Sequence, residues 1–271
     1  MTDFTQTALE IASTLGDLTY MLGALIYALP VPFRGLKDWG PTLIKDGVYA
    51  VFLSAFYYGI ISLASQYAPS WHSYLKWLHG NTNTMEIYAT IFSLLTGIIT
   101  RFVHHVSFLS SASYLLSNGG AVFVLLLAVS EFVHKNWGLL IAIGIMLFAV
   151  PFRMARSAGA YLIMFSVVLY IGLPFFQFIL EPIPSPLTVL QQIFSCLYNQ
   201  FTSNPLLFFE HLATGQIFEQ IMQKVIDPLI EAMALDTIEI PIYLTVLIGL
   251  AVSLTRFIAN YGSKIPIRIV L

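Results

Sequence analysis

Two acids in the first apolar run are the first side chains whose type and spacing suit chemistry. Glu10 and Asp17 stand seven residues apart, so they share one face of a helix. Acids inside a membrane helix are candidates for proton or cation relays. Both lie in the outer part of the run, however, where an interfacial helix would keep them in water. A relay and a solvated face are therefore the two interpretations.

Five arginines form the second candidate set. Each stands at or just beyond one end of an apolar run: Arg34, Arg101, Arg153, Arg156 and Arg256. Arginines in such places commonly fix orientation and reach for lipid headgroups, and this is the simpler interpretation. Gathered around one opening, the same side chains would select anions, phosphates among them. The functional hypothesis is an arginine-lined cytoplasmic mouth.

No motif of catalysis or of metal or cofactor binding is found in the sequence. The six histidines form no HExxH motif, and no Gly-Lys-Ser/Thr phosphate loop is present. His104-His105 follows a span end, where a polar pair is usually interfacial. The single cysteine, Cys196, excludes an internal disulfide and a Cys-rich metal site. We predict no enzyme, no metal and no cofactor.

Composition places the chain in a membrane. Apolar residues make up 58% of its 271 residues and charged residues 10%, with a mean hydropathy of +0.80; soluble domains have roughly half and a quarter. Several runs approach the ~20 residues that cross a bilayer. The predicted fold is an all-α, multi-pass membrane protein with about seven spans. Their approximate bounds are 9–31, 47–67, 86–103, 107–133, 136–152, 158–180 and 238–258.

Charge placement predicts the orientation of these spans in the cell membrane. With the N-terminus outside and the C-terminus in the cytoplasm, nine basic residues lie inside and three outside, which accounts for all 12. The three outer ones are Lys76, Lys135 and Lys224. The inner ones are Arg34, Lys37, Lys45, Arg101, Arg153, Arg156, Arg256, Lys264 and Arg268.

A repeated string suggests internal duplication. Val-Pro-Phe-Arg occurs at 31–34 and 150–153, and Thr-Arg-Phe at 100–102 and 255–257, each closing an apolar run. Two copies of three spans share one orientation only if an odd helix joins them. We predict a 3+1+3 parallel repeat within one membrane domain, 1–271: about 9–105, a linking helix 107–133, and about 136–260. Chance recurrence of interfacial aromatic-arginine strings is the alternative.

The segment 181–236 is the only sizeable insertion between predicted spans. Ser185-Pro186 is a typical helix start. Apolar residues then recur at three- and four-residue steps, so two or three amphipathic helices are expected on the outer side. They would lie on the lipid, cap a channel or pack against a partner. Acidic residues in the segment argue against direct binding of a phosphate backbone.

A family resemblance rests on Pro151-Phe152-Arg153 followed by Arg156-Ser157-Ala158-Gly159-Ala160. This stretch, with the seven spans and one long outer loop, resembles the CedA family, the membrane component of the crenarchaeal DNA-exchange system, which takes DNA into the cell. It is also similar to the TrbL/VirB-type subunits of type IV secretion and conjugation machines. The resemblance implies an archaeal membrane protein, a separate ATPase motor and DNA as passenger.

From these observations we expect a channel or scaffold subunit of a DNA-translocating complex, assembled with copies of itself or with pilin-like or other membrane partners. One chain of seven short spans is too small to form a wide pore alone. The main alternative is a proton-coupled transporter of a small solute, using Glu10 or Asp17. A structural membrane anchor is the third hypothesis.

Overall fold

Helices make up all the regular structure of the described chain. The computed structural model describes residues 2–29, 34–99, 107–151, 155–180, 183–213 and 216–260, and contains no strand within them. The predicted all-α class is confirmed. The α-helices of the described residues are α1 Thr2–Ala28, α2 Arg34–Tyr67, α3 Trp71–Ile99, α4 Ser107–Ala149, α5 Arg156–Gly172, α6 Phe176–Ile179, α7 Pro186–Ser203, α8 Pro205–Ala213, α9 Gln216–Ile221 and α10 Asp227–Asn260. A 3₁₀ turn, Leu173–Phe175, precedes α6, and a π-helical turn, Met222–Ile226, precedes α10.

Several of these helices are long and apolar enough to cross a membrane. Within the described residues there are five such stretches: Phe4–Ala28, Lys37–Tyr67, Ser117–Ala149, Arg156–Ile179 and Gln223–Arg256. They agree with a multi-pass helical membrane protein, but the predicted count of seven spans is not confirmed. Helix α3, which contains most of the predicted span 86–103, is not among the five. Polar residues such as Asn83 and Glu86 dilute its apolar content.

Helix α4 corrects two predicted spans. The stretches 107–133 and 136–152 belong to one helix that continues through His134 and Lys135 to Ala149. The polar groups at the expected loop are satisfied along the helix itself. The Lys135 ammonium lies 3.4 Å from the Glu131 carboxylate, and the Asn136 side chain donates to the carbonyl of Phe132 at 2.9 Å. Because no proline or glycine interrupts these positions, the helix has no reason to stop.

The predicted insertion 181–236 contains three short helices, α7, α8 and α9, and the beginning of α10. Helix α7 begins where the sequence indicates: the Ser185 hydroxyl accepts a hydrogen bond from the Thr188 N–H at 3.3 Å, and Pro186 occupies the first turn. The boundary expected near residue 237 is not a helix boundary. Helix α10 starts at Asp227 and continues through Pro241.

The chain packs as two compact units. Unit 1 comprises Met1–Trp71, Glu131–Phe175 and Leu244–Leu271, and unit 2 comprises His72–Ser130 and Phe176–Tyr243. The core of unit 1 joins α1, α2, the end of α4 and α5. Its buried residues are Ala8, Ala12, Ala50, Tyr57, Ile141, Ala142, Ile145, Ala149 and Ile163. Five of the nine are alanine, which lets the helix backbones approach closely.

Glycine residues allow α1 and α2 to pack with their backbones in direct contact. A Cβ atom added at Gly47 would lie 2.6 Å from the Gly16 carbonyl oxygen and 2.7 Å from the Tyr20 nitrogen. One added at Gly23 would lie 2.7 Å from the Ile44 nitrogen. These contacts are with backbone, which cannot move aside as a flexible side chain can. The two helices therefore form a tight antiparallel hairpin in which only glycine fits.

A second hairpin repeats this arrangement at the end of α4 and the start of α5. A Cβ atom added at Gly159 would lie 2.5 Å from the Gly144 carbonyl oxygen and 2.6 Å from the Phe148 nitrogen. A Cβ at Gly144 would meet the Ile163 side chain at 2.7 Å. Unit 1 thus contains two glycine-sealed hairpins, α1–α2 and α4–α5.

Two tyrosine hydroxyl groups make hydrogen bonds between elements of unit 2. The Tyr74 hydroxyl lies 2.8 Å from the Ser130 hydroxyl, and both residues are buried. Burial raises the pKa of Tyr74 well above its ordinary value, although the hydrogen bond with Ser130 acts in the opposite direction. Tyr88 donates to the Pro184 carbonyl at 2.9 Å and so anchors the segment before α7 to α3.

The hairpin contacts predict that Gly47→Leu destabilises the protein while Gly249→Leu does not. A side chain at Gly47 must separate α1 from α2, and overpacking of this kind costs about 1–3 kcal/mol or more. Position 249 on α10 has nothing within 4 Å of an added Cβ. We expect a lower unfolding temperature in detergent for Gly47→Leu alone. Equal unfolding temperatures for both variants would contradict the tight hairpin.

Candidate functional site

A buried ion pair joins the two hairpins of unit 1. The Arg156 guanidinium, at the first residue of α5, donates to the Asp46 carboxylate on α2. Arg156 and Asp46 are each 7% exposed. Charged side chains are almost never buried unless they are paired. The contact therefore fixes where α5 begins against α2.

The Arg156 guanidinium also contacts an aromatic ring of its own hairpin. The carbon at the centre of its guanidinium lies 4.6 Å from the centre of the Phe148 ring, a cation–π contact within the α4–α5 hairpin. Its Nε is buried and has no hydrogen-bond partner among the described residues. Most of the guanidinium's interaction thus depends on Asp46 and Phe148. Removal of the Asp46 carboxylate would leave the guanidinium buried without this counter-charge.

Two further hydrogen bonds give the register of the hairpins. Tyr57 of α2 donates to the Gly138 carbonyl of α4 at 3.2 Å, and Thr19 of α1 donates to the Ala149 carbonyl at 3.2 Å. As α4 proceeds from 138 to 149 it therefore runs towards the start of α2 and the end of α1. Both Val-Pro-Phe-Arg strings accordingly follow helices that end on the same side of unit 1.

The predicted arginines fall into three groups. Arg156 is buried against Asp46, so it does not line an opening. Arg256 is exposed on α10, and Arg34 is the first residue of α2, with its side chain outside the described part. Arg101 and Arg153 lie outside the described residues. An arginine-lined mouth thus stays a prediction, from which Arg156 is removed.

The predicted acids both lie on the exposed face of α1. Glu10 accepts a hydrogen bond of 3.3 Å from the Gln6 side chain. Asp17 lines an open depression of about 260 Å³ between α1 and α2, together with Tyr20, Gly47, Val48 and Val51. Asp46, which sequence analysis did not select, is the acid that is buried.

Aromatic rings gather towards the opposite end of unit 1 from its ion pair. The Trp71 ring stacks on His134 at 4.8 Å between centroids, and Trp137 stacks on Tyr170 at 3.7 Å. Trp71 and Tyr170 lie 5.3 Å apart and join the two pairs. Tryptophan and tyrosine are typical of membrane–water interfaces. Trp71, the first residue of α3, and Tyr170 of α5 thus join α3, α4 and α5 at this end.

Side chains that commonly bind metals do not cluster in the part of the chain that the structure describes. No group of three or more His, Cys, Asp or Glu side chains comes together there. Cys196 is half-buried on α7 and has a free thiol. His104 and His105 lie outside the described residues.

Comparison with known proteins finds a similarity that extends over nearly the whole chain. A curated relative from Sulfolobus acidocaldarius, named DNA import protein CedA, is 28% identical over 266 residues, which cover 93% of this chain and 93% of that protein. The resemblance to the CedA family is confirmed. A family model described as DNA import protein CedA1 also matches residues 1–70. No solved structure matches the chain.

The match to the CedA1 model has a structural counterpart. It ends at residue 70, after the last residue of α2, Tyr67, and just before α3 begins at Trp71. The matched segment is thus the glycine-sealed α1–α2 hairpin, which also supplies Asp46 and the Asp17 depression. The CedA relative, in contrast, matches across both units.

The ion pair predicts a specific pattern of stability changes. Asp46→Leu leaves Arg156 buried without its counter-charge, and we expect a loss of about 3–5 kcal/mol. The double variant Asp46→Leu with Arg156→Met removes both charges and should recover most of that loss. Unfolding of the purified protein in detergent, followed by denaturant or temperature, measures both.

A surface pair provides the matched control. Glu131 and Lys135 form an i,i+4 pair in which the lysine side chain is 65% exposed, so Glu131→Ala should cost no more than about 1 kcal/mol. If Asp46→Leu were no more damaging than Glu131→Ala, the buried pair would not be what positions α5.

Proposed function

We propose that this protein is a channel or scaffold subunit of a membrane complex that imports DNA. The observation that carries the proposal is the end-to-end similarity to DNA import protein CedA, over 93% of both chains. The five apolar stretches support a place in the membrane. A type IV secretion-like assembly, with copies of this chain or pilin-like subunits as neighbours, belongs to the same proposal.

The orientation we propose places the N-terminus outside and the C-terminus in the cytoplasm. The ends of α1 and α4 lie on one side of unit 1, as the hydrogen bonds at Thr19 and Tyr57 require. Basic residues cluster in the segments at that side, including Arg34, Lys37 and Arg153. Clusters of this kind are typical of cytoplasmic segments.

The mechanism we propose is passive. The sequence has no phosphate-binding loop for ATP, so a separate ATPase would drive transport. Arg34, Arg101 and Arg153 would attract DNA phosphates at the cytoplasmic side, since guanidinium groups bind phosphate strongly. Arg156 has a different task in this proposal: paired with Asp46, it fixes the start of α5, three residues after Arg153 in the sequence.

A proton-coupled transporter is the second candidate, and one observation favours it. Asp17 opens into a depression within a helix of spanning length, where an acid is a candidate relay. Under this alternative, Asp17→Asn would abolish solute uptake driven by a pH gradient in vesicles. DNA import would need no titration of Asp17.

Substitution of the arginines in the two Val-Pro-Phe-Arg strings tests the proposed mechanism of DNA import. We expect the double variant Arg34→Gln with Arg153→Gln to lower DNA import at least tenfold, because two phosphate contacts are lost. DNA transfer is measured in a host that lacks its own copy and is complemented with the variant.

The matched control is Arg34→Lys with Arg153→Lys, which keeps both charges and should retain most of the transfer. Membrane insertion of every variant is verified in the same cells. Unimpaired transfer by the glutamine variant would exclude the arginine mechanism. Normal DNA transfer in a host without the gene would exclude the function itself.

A further inference from the structure

Unit 1 has two exposed charges of opposite sign on α1 and α10, in addition to the exposed Lys37, Asp38 and Lys45 of α2. Asp17 is exposed on α1, and Arg256 is exposed on α10. Each lies within a stretch long and apolar enough to span a membrane, Phe4–Ala28 and Gln223–Arg256. Neither forms a hydrogen bond or ion pair within the described part of the chain. A lone charge facing lipid is costly, and such side chains are usually paired.

The depth of Asp17 follows from the contacts of α1 with α4. Thr19 donates to the carbonyl of Ala149, and α1 and the end of α4 run in the same direction in unit 1. Asp17 stands two residues before Thr19 on α1. It therefore lies at about the level of residue 147 on α4.

The depth of Arg256 follows from the contacts of α10 with α5. Gly172 of α5 is in contact with the Leu247 side chain, and Phe176 with the Tyr243 ring, so the two helices are antiparallel. Arg256 lies nine residues beyond Leu247 and hence level with Ile163. Ile163 packs on Gly144.

The two levels nearly coincide. Residues 144 and 147 of α4 differ by three residues, which is about 5 Å along a helix. An arginine side chain easily bridges this difference. Asp17 and Arg256 are thus complementary charges at one depth, on helices of one unit where they do not meet each other.

We propose that Arg256 of one copy of this protein enters the Asp17 depression of a second copy. The depression lies between α1 and α2, and beside Asp17 its borders are Tyr20, Gly47, Val48 and Val51. Its volume of about 260 Å³ admits a planar guanidinium, which binds a carboxylate through two parallel hydrogen bonds. Both charges are then neutralised within the membrane.

The geometry of this contact is head-to-tail. The α1–α2 face of one copy meets the α10 face of the next. A pair of copies therefore still has one free α10 face and one free α1–α2 face. Such an interface continues to further copies and closes into a ring if the rotation allows. The inference concerns self-assembly and does not depend on DNA as the passenger.

Cysteine cross-linking tests the contact in the full chain. Cys196 is first replaced by serine, and chains with Asp17→Cys are mixed in membranes with chains carrying Arg256→Cys. On oxidation we expect a disulfide-linked dimer in the mixture and much less in either chain alone. A single chain that carries both substitutions should give a ladder of trimers and larger species.

Alternative occupants of the depression give different patterns. Lys45 is exposed on the neighbouring helix α2, and an Asp17→Cys chain that cross-links to Lys45→Cys but not to Arg256→Cys would overturn the proposal. Cross-linking of Asp17→Cys to itself alone would do so as well, since it requires a symmetric contact. No cross-link in any mixture would leave lipid or water as the occupant and would also overturn it.

A charge exchange provides the second measurement. Asp17→Arg alone should reduce the purified protein from oligomer to monomer by light scattering in detergent, because two guanidinium groups then face each other. Asp17→Arg combined with Arg256→Asp should restore the oligomer. The exchange also separates this contact from a proton relay, which would not survive an arginine at position 17. If the double variant stays monomeric while it remains folded, the pairing is wrong.

Discussion

Direct backbone contact between helices is the constraint on which unit 1 depends. In a bilayer, lipid tails are as apolar as leucine, so burial of apolar side chains gives little drive for helices to associate. Association then relies on close packing, which requires small residues where two helices touch. Gly16, Gly23 and Gly47 meet this requirement in the α1–α2 hairpin, and Gly144 and Gly159 in the α4–α5 hairpin. Each hairpin can therefore form as a pair before the unit is complete.

The glycine contacts lie within each hairpin and do not determine how the two hairpins pack on each other. The Asp46–Arg156 pair determines that position. Packing of alanines alone tolerates sliding by a turn, whereas a buried charge has only one place where it is neutralised. The same fact changes the functional interpretation of the arginines. A guanidinium at 7% exposure beside a carboxylate attracts no phosphate, so the anion-binding hypothesis rests on the arginines that have no acid of their own.

Local patterns predicted much of this architecture, because helices of apolar composition, proline turns and the cap at Ser185 are all properties of neighbouring residues. The prediction failed at His134 and Lys135, where polarity was taken for a loop although an α-helix satisfies polar side chains on its own surface. The partner of Arg156 was not predictable, since it stands 110 residues away. The close packing of α1 on α2, in contrast, is indicated in the sequence: Gly16 and Gly23 are seven residues apart, as are Gly40 and Gly47.

The hairpins also explain the repeated Val-Pro-Phe-Arg string. The similarity they show covers a shorter stretch of chain than the predicted three-span repeat. Counted from Arg34 and from Arg153, a glycine follows at the sixth position in both copies, Gly40 and Gly159. Each of these glycines lies against the backbone of the helix before the turn. A basic residue follows at the third position in both, but Lys37 is exposed whereas Arg156 is buried. What recurs is thus a glycine early in the second helix of each hairpin, which lets that helix pack closely on the first. The two copies differ in what their third residue binds, and this difference arises because only the second hairpin docks on an acid of the first.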